Sequence, residues 1–233
     1  NSSQLDIICN WASLWQLKIS YSKCSILTIG PHTNQQQHFL GPHQVTHTDT
    51  SVDLGITIDS NLKFITHIHI ANKANQRASL IMRCFLSRNP SNMVRGFKVY
   101  VRPLLEYAST IWSPSYLTLI QLIERVQKKY TKRVPGCHHL SYAERLIKLK
   151  LQSLEHRRLI ADIIICYNIM KGNNCLNSQN YFTLKNNSLR GHALKLDVPF
   201  SKLNARRFFL SDRVVSIWNS LPSDLIASTS IHT

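Results

Sequence analysis

The chain has 233 residues, 43% of them hydrophobic, with only 7 glycines and 8 prolines; that is enough apolar material for one large domain or two small ones, and it argues against disorder. Its 28 lysines and arginines against 12 aspartates and glutamates leave a net charge of +16, with 11 histidines able to add to it in mild acid. Such a surplus favours a polyanionic partner, nucleic acid or an anionic membrane, and the absence of an 18-residue apolar run speaks against a membrane span. The nearest candidate span, residues 159–167, carries Asp162 and reads as a buried helix. The polar start Asn1-Ser2-Ser3-Gln4 does not look like a signal peptide, and a first methionine at Met82 leads us to expect a piece of a longer reading frame.

In chain order, Leu5, Ile8, Cys9, Ala12 and Trp15 fall on one helical face. A strand is expected over 24–29, stopped by Gly30-Pro31, followed by a polar loop with Gln35, Gln36 and Gln37. Short extended pieces flank Gly41-Pro42, and 52–58 reads as another strand with a turn at Asp59-Ser60-Asn61. Residues 1–65 are therefore expected to be one helix and several short antiparallel strands. From residue 66 the period becomes helical, with Thr66 as the N-cap and a stripe of Ala71, Ala74, Ala78, Ile81, Met82 and Phe85. Asn89-Pro90 opens a helix that Pro103 must kink or end. Ser113-Pro114-Ser115 starts another, with Leu119, Leu122, Ile123, Val126 and Tyr130 on one face.

Pro135-Gly136 marks an internal boundary, after which Ser141-Tyr142-Ala143-Glu144 has the form of a capping box. A helix over 153–171 stops at Gly172, an asparagine-rich loop covers 173–187, and a last helix spans 205–221 on Leu210, Val214, Ile217, Trp218 and Leu221. The expected fold class is mainly α with a small N-terminal α+β portion. Six scattered cysteines, Cys9, Cys24, Cys84, Cys137, Cys166 and Cys175, point to a reducing compartment with free, mostly buried thiols. The tripeptide Cys137-His138-His139 cannot easily close a zinc tetrahedron, so no metal site is expected.

Charge is concentrated. Residues 63–133 hold thirteen basic side chains, Lys63, Lys73, Arg77, Arg83, Arg88, Arg95, Lys98, Arg102, Arg125, Lys128, Lys129, Lys132 and Arg133, against Glu106 and Glu124. Arg125, Lys128, Lys129 and Lys132 share one helical face, which repels itself unless a polyanion lies against it. Lys148, Lys150 and Lys171, beyond the Pro135-Gly136 boundary, are expected to add little to such binding. Two-metal nucleotidyl transfer needs clustered carboxylates, yet Asp6, Asp49, Asp53 and Asp59 are dispersed and no Asp-Asp pair exists. Nor is there a nucleophile elbow, a Walker loop or a dinucleotide fingerprint. These residues alone describe a nucleic-acid-binding piece without its own active site.

Trp15-Gln16-Leu17-Lys18-Ile19-Ser20-Tyr21-Ser22-Lys23-Cys24 looks like the stretch after the catalytic Tyr-x-Asp-Asp strand in the reverse transcriptases of non-LTR (LINE-type) retrotransposons, and further segments resemble the same enzymes in order. Val52-Asp53-Leu54-Gly55-Ile56-Thr57-Ile58-Asp59, with Leu62-Lys63-Phe64 and His67, resembles the primer-grip hairpin. Val99-Tyr100-Val101-Arg102-Pro103-Leu104-Leu105-Glu106-Tyr107 and Ile111-Trp112-Ser113-Pro114 are similar to the thumb. The runs 123–136 and 140–146, and a tail of Arg190-Gly191-His192, Phe208-Phe209 and Trp218-Asn219-Ser220-Leu221-Pro222, continue the match.

The resemblance implies a palm remnant over 1–65 with Leu54 and Gly55 in a primer-grip-like hairpin, a thumb-like helical domain over 66–135, and a C-terminal helical region over 136–233. It implies an RNA-directed DNA polymerase whose catalytic aspartates lie outside this chain, so that the chain alone is inactive. Lys23 becomes a candidate for assisting pyrophosphate departure, or a surface lysine closing a turn. Contacts to an RNA–DNA template–primer are implied for Lys63, Lys73, Arg77, Arg102, Arg125, Lys128, Lys129, Lys132 and Arg133. The other expected partner is the missing fingers and palm of the parent polyprotein; no membrane is implied. No cofactor is expected here, Mg²⁺ being expected for the complete enzyme, and the family implies an intracellular location, in cytoplasm and nucleus. Alternatives are a domesticated nucleic-acid-binding module, a non-functional remnant, and a basic helical adaptor for an acidic protein.

Overall fold

A computed structural model describes residues 2–30, 37–185 and 192–228. Asn1, Pro31, Gln35, Gln36, Asn186, Asn187, Arg190 and Gly191, from the segments read above, lie outside the described residues. The protein is mainly α-helical with a small sheet-bearing portion at its start. It divides into two compact units, Asn1–His67 and Ile68–Thr233.

The first unit begins with α1 (Ser2–Leu14) and a 3₁₀ turn, Tyr21–Lys23. Strands β1 (Ser25–Leu27), β2 (His38–Leu40) and β3 (His43–Thr48) form one sheet in the order β1-β3-β2; β4 (Thr50–Asp53) and β5 (Ile56–Asp59) form a separate hairpin. The sheet is not wholly antiparallel, as the sequence led us to expect. β2 and β3 are antiparallel around Gly41, but β1 runs parallel to β3 with Ser25 opposite Thr46. The chain between β1 and β3 is long enough for the crossover that a parallel pair needs, and β2 occupies the other edge.

Nor is 52–58 one strand. Leu54 (φ 46°) and Gly55 (φ 83°) are both left-handed, the geometry of a two-residue hairpin turn, so Asp53 pairs with Ile56. The Asp59 carboxylate then accepts the amides of Asn61 (3.1 Å), Lys63 (3.1 Å) and Phe64 (2.6 Å), and this fixes the turn into the single-turn α2 (Ile65–Ile68). Thr66 is consequently inside that turn and is not an N-cap. The unit buries few apolar side chains, Ala12, Leu40 and Ile56 among them. Of the stripe expected on α1, Ala12 is buried, Leu5 and Cys9 are half-buried, and Ile8 and Trp15 are exposed along with Trp11 and Leu14.

The second unit opens with α3 (Ile70–Cys84), which buries Ala71, Ala74, Ala78, Ile81 and Met82 as the spacing predicts. Asn89 caps α4 (Pro90–Gly96) by accepting the Ser91 amide at 2.9 Å. Gly96 is buried where α4 meets α3, and a Cβ there would sit 3.4 Å from Ile81 Cγ2, at the close end of ordinary contact. A π-helical turn, Phe97–Val101, leads into α5 (Arg102–Glu106), with Pro103 in its first turn. A proline removes an amide donor, and the widened turn just before it is one way a helix accommodates the loss.

After the single turn α6 (Ser109–Trp112) the segment 113–115 is not helical, contrary to expectation. Helix α7 (Leu117–Lys132) starts only past the proline and Tyr116. Ser141 and Glu144 form the full capping box of α8 (Tyr142–Lys148). α9 (Leu154–Met170) is capped by Ser153 and followed by left-handed Gly172.

The helix expected over 205–221 is broken into α10 (Asn204–Arg207), α11 (Leu210–Arg213) and α12 (Val215–Ser220), with α13 (Ser223–Ala227) after Pro222. Phe209, the residue before α11, is extended (φ −67°, ψ 153°), and Arg213 ties this break to other parts of the unit. The guanidinium donates to Phe208 O (2.9 Å), to Thr110 O (2.7 Å) and, through two nitrogens, to Asp162 (2.9 and 2.7 Å). An isolated bridge joins Leu184 to Leu196. Pro135-Gly136 is a turn inside this second unit, with α7 and α8 packed against each other across it. The expectation of mostly buried thiols is also corrected: Cys137 and Cys166 are buried, but Cys84 and Cys175 are exposed.

Candidate nucleic-acid interface

Helix α7 presents two faces of opposite chemistry. Its inner face buries Ile123, Val126 and Tyr130, and beside them the polar side chains Glu124, Gln127 and Thr131. Leu119 and Leu122, expected on this face, are both half-buried. Sequence reasoning missed the polar stripe; its signal is the spacing 124, 127, 131, one helical row adjoining the apolar one.

Glu124 accepts the hydroxyl of Tyr142 and the first two amides of α9, Leu154 and Glu155, each at 3.2 Å. A carboxylate at a helix N-terminus satisfies amides that have no partner inside the helix. Gln127 donates to Tyr142 Oη (2.9 Å) and to Gln152 O (2.9 Å). Arg145, also buried, donates to Thr131 Oγ1 (3.1 Å) and Leu140 O (2.6 Å). Burial, then the bond to Glu124, pushes the Tyr142 phenol far up, so it stays a donor. Burial likewise raises Tyr130 to about 12, and its hydroxyl donates to Met93 O at 2.7 Å.

The other acid of the basic segment is also turned inward. Glu106 takes both Arg157 Nε (2.5 Å) and Nη2 (2.9 Å), and Arg102 lies 3.6 Å away. Arg102 is therefore half-buried and ion-paired rather than free on the surface. With both acids occupied internally, the outer face of α7 is uniformly basic. Arg125, Lys128, Lys129, Lys132 and Arg133 are all exposed, and none is in an ion pair among the described residues. Lys128 Nζ lies 5.2 Å from the centre of the Tyr142 ring.

Lys129, Lys132 and Arg133 line a concavity of about 440 Å³ between α7 and α3, to which Asn75 and Ser79 add polar groups. Lys73 and Arg77 are exposed too, but helical geometry puts them on the side of α3 away from Asn75 and Ser79, and neither lines this concavity. Lys63, Leu54, Gly55 and Lys23 belong to the first unit. Lys23 is exposed in the 3₁₀ turn, its amide bonded to Ser20 O at 3.0 Å. Leu54 and Gly55 are the two central residues of the hairpin turn.

A larger concavity of about 510 Å³ holds Glu155, Asp162, Arg158 and Arg213. Its mixed charge suits a polyanion poorly, and the buried Arg158 is surrounded by Glu124, Glu155, Asp162 and Glu106. Among the described residues no group of three His, Cys, Asp or Glu is placed to hold a metal ion, and no helix is long and apolar enough to cross a membrane. The Asp59 carboxylate is taken by the backbone amides described above.

No family model matches the chain, and no solved structure matches it. It is similar to an uncharacterized protein of Caenorhabditis elegans, 34% identical over 124 residues that make up 52% of this chain and 63% of the relative. The chain thus spans less than two thirds of that relative's length.

Proposed function

We propose that the second unit binds nucleic acid through the outer face of α7, and that the chain is the C-terminal part of an RNA-directed DNA polymerase of the LINE type. One observation supports the binding most directly: four cations share a helical face while both acids of the segment are turned inward. Such a face is self-repelling, and closely spaced phosphates offset that cost by releasing their counterions. The polymerase reading rests on the ordered motif resemblance. In it, the carboxylates that hold Mg²⁺ lie outside this chain, and α7 grips the template–primer.

Fluorescence anisotropy with a labelled RNA–DNA hybrid, with polyglutamate as competitor, tests the binding. Tight, sequence-independent binding that polyglutamate displaces only in large excess is expected. Binding to polyglutamate as tight as to the hybrid would favour the adaptor instead.

A further inference from the structure

The cations of the second unit do not end with α7. Arg95 and Lys98, on α4 and the π turn, face Lys148 and Lys150, which follow some fifty residues later, across a cleft of about 480 Å³ lined also by Ser91 and Leu149. Among the described residues no carboxylate lines this cleft. Lys148, one of the lining residues, donates its Nζ to Gly136 O at 2.8 Å. Lys150 is held there in a left-handed conformation (φ 50°) by the turn that closes α8, where its amide bonds Ile147 O at 3.1 Å and the Leu151 amide bonds Leu146 O at 2.9 Å.

Four like charges around one concavity oppose each other unless an anion enters. With no aromatic ring in the lining, bases cannot stack, so the backbone is what the cleft can hold. Its concave shape suits a chain of phosphates better than a flat lipid surface. We propose that this cleft is a second phosphate track, which takes the phosphodiester backbone of a nucleic-acid strand beyond the duplex on α7. This rests on the nucleic-acid reading of the same unit. It also revises the expectation that Lys148 and Lys150 add little.

The test is salt-dependent binding of the full chain to a labelled RNA–DNA hybrid, blunt or with a single-stranded extension. The variant is Arg95→Gln/Lys98→Gln/Lys150→Asn; it spares the Lys148 bond, and asparagine tolerates the left-handed conformation. Its slope of log K against log salt on the extended hybrid is expected to be shallower by about two to three units, at roughly 0.7–0.9 per phosphate contact, with a smaller change on the blunt one. Wild-type slopes on both, with an α7 variant still flattened, would overturn this inference alone; no binding by the wild type would overturn the nucleic-acid reading itself. Acetylation footprinting of the wild type avoids any folding defect of the variant. Protection of Lys98, Lys148 and Lys150 by the extended hybrid is expected. Protection by phosphatidylserine vesicles and not by the hybrid would overturn the proposal.

Discussion

Replacing Glu124 by alanine tests whether its carboxylate is a structural cap or part of the outer surface. The substitution removes the acceptor for the Tyr142 hydroxyl and for the Leu154 and Glu155 amides. Each buried donor left without a partner costs about 1–3 kcal/mol. Glu155 is exposed and Tyr142 half-buried, so water can replace part of their share, whereas Leu154 is enclosed. The net loss is therefore about 2–4 kcal/mol, a substantial part of the roughly 5–15 kcal/mol that holds a domain folded. With a urea dependence of about 2 kcal/mol per molar, the unfolding midpoint should fall by about 1–2 M. Glu124→Gln keeps an acceptor oxygen and should lose less. Glu124→Gln combined with Tyr142→Phe should cost less than the sum of the two, because the groups share one network. The variants should keep the wild-type salt dependence of duplex binding at temperatures where they are folded. An alanine variant within about 0.5 kcal/mol of wild type would show that the inward network does not carry the packing of α7 on α9.

Three other outcomes are expected. Primer extension on an RNA template with Mg²⁺ or Mn²⁺ should yield no product above a heat-killed control; incorporation would mean that carboxylates in this chain had been misread. Burial holds the His67 imidazole below its ordinary 6.5, and its Nδ1 accepts the Thr57 amide at 3.2 Å, so its stabilising contribution is complete above 6.5 and is lost as pH falls below that value. Hydrogen exchange at the Thr57 amide should therefore speed up relative to other β5 amides between about pH 7 and about pH 5, and a uniform response would count against the assignment. Arg213→Met removes both hydrogen bonds from the guanidinium to the buried Asp162 and should cost about 3–5 kcal/mol in urea unfolding, while Arg213→Met with Asp162→Leu should recover part of it; equal losses in both would remove the ion pair from the account.

What the sequence made legible was local. The Ala71-Ala74-Ala78 stripe, the Asn89-Pro90 opening, the Ser141–Glu144 box and the stop at Gly172 each rest on residues within one or two turns of one another, and all four are present. The hairpin at Leu54-Gly55 was hidden from periodicity, because leucine is not a residue that advertises a left-handed turn. The motif resemblance, not the spacing, pointed to a hairpin there. The break at Phe208-Phe209 is accompanied by Arg213 reaching Thr110 and Asp162, contacts far away in sequence. The inward acids were equally invisible: Glu106 and Glu124 look like surface residues until Arg157 and the start of α9 are folded onto them. The basic face of α7 could be read from one helix, whereas the cleft joining Arg95 and Lys98 to Lys148 and Lys150 could not.

The central claim is that the outer face of α7 neutralises phosphates. A filter-binding titration with an RNA–DNA hybrid over a range of salt tests it, comparing the wild type, the variant with glutamine at Arg125, Lys128, Lys129 and Lys132, and a variant with glutamine at Lys171 and Lys202, two exposed lysines that line neither the α7 concavity nor the second cleft. Each phosphate contact contributes about −0.9 to the slope of log K against log salt. The α7 variant should be flatter by about two to four units, the spread allowing for Lys128, which already lies over Tyr142, and the Lys171/Lys202 variant should stay close to wild type. Equal slopes for the two variants, or a wild type that binds no hybrid at low salt, would contradict it.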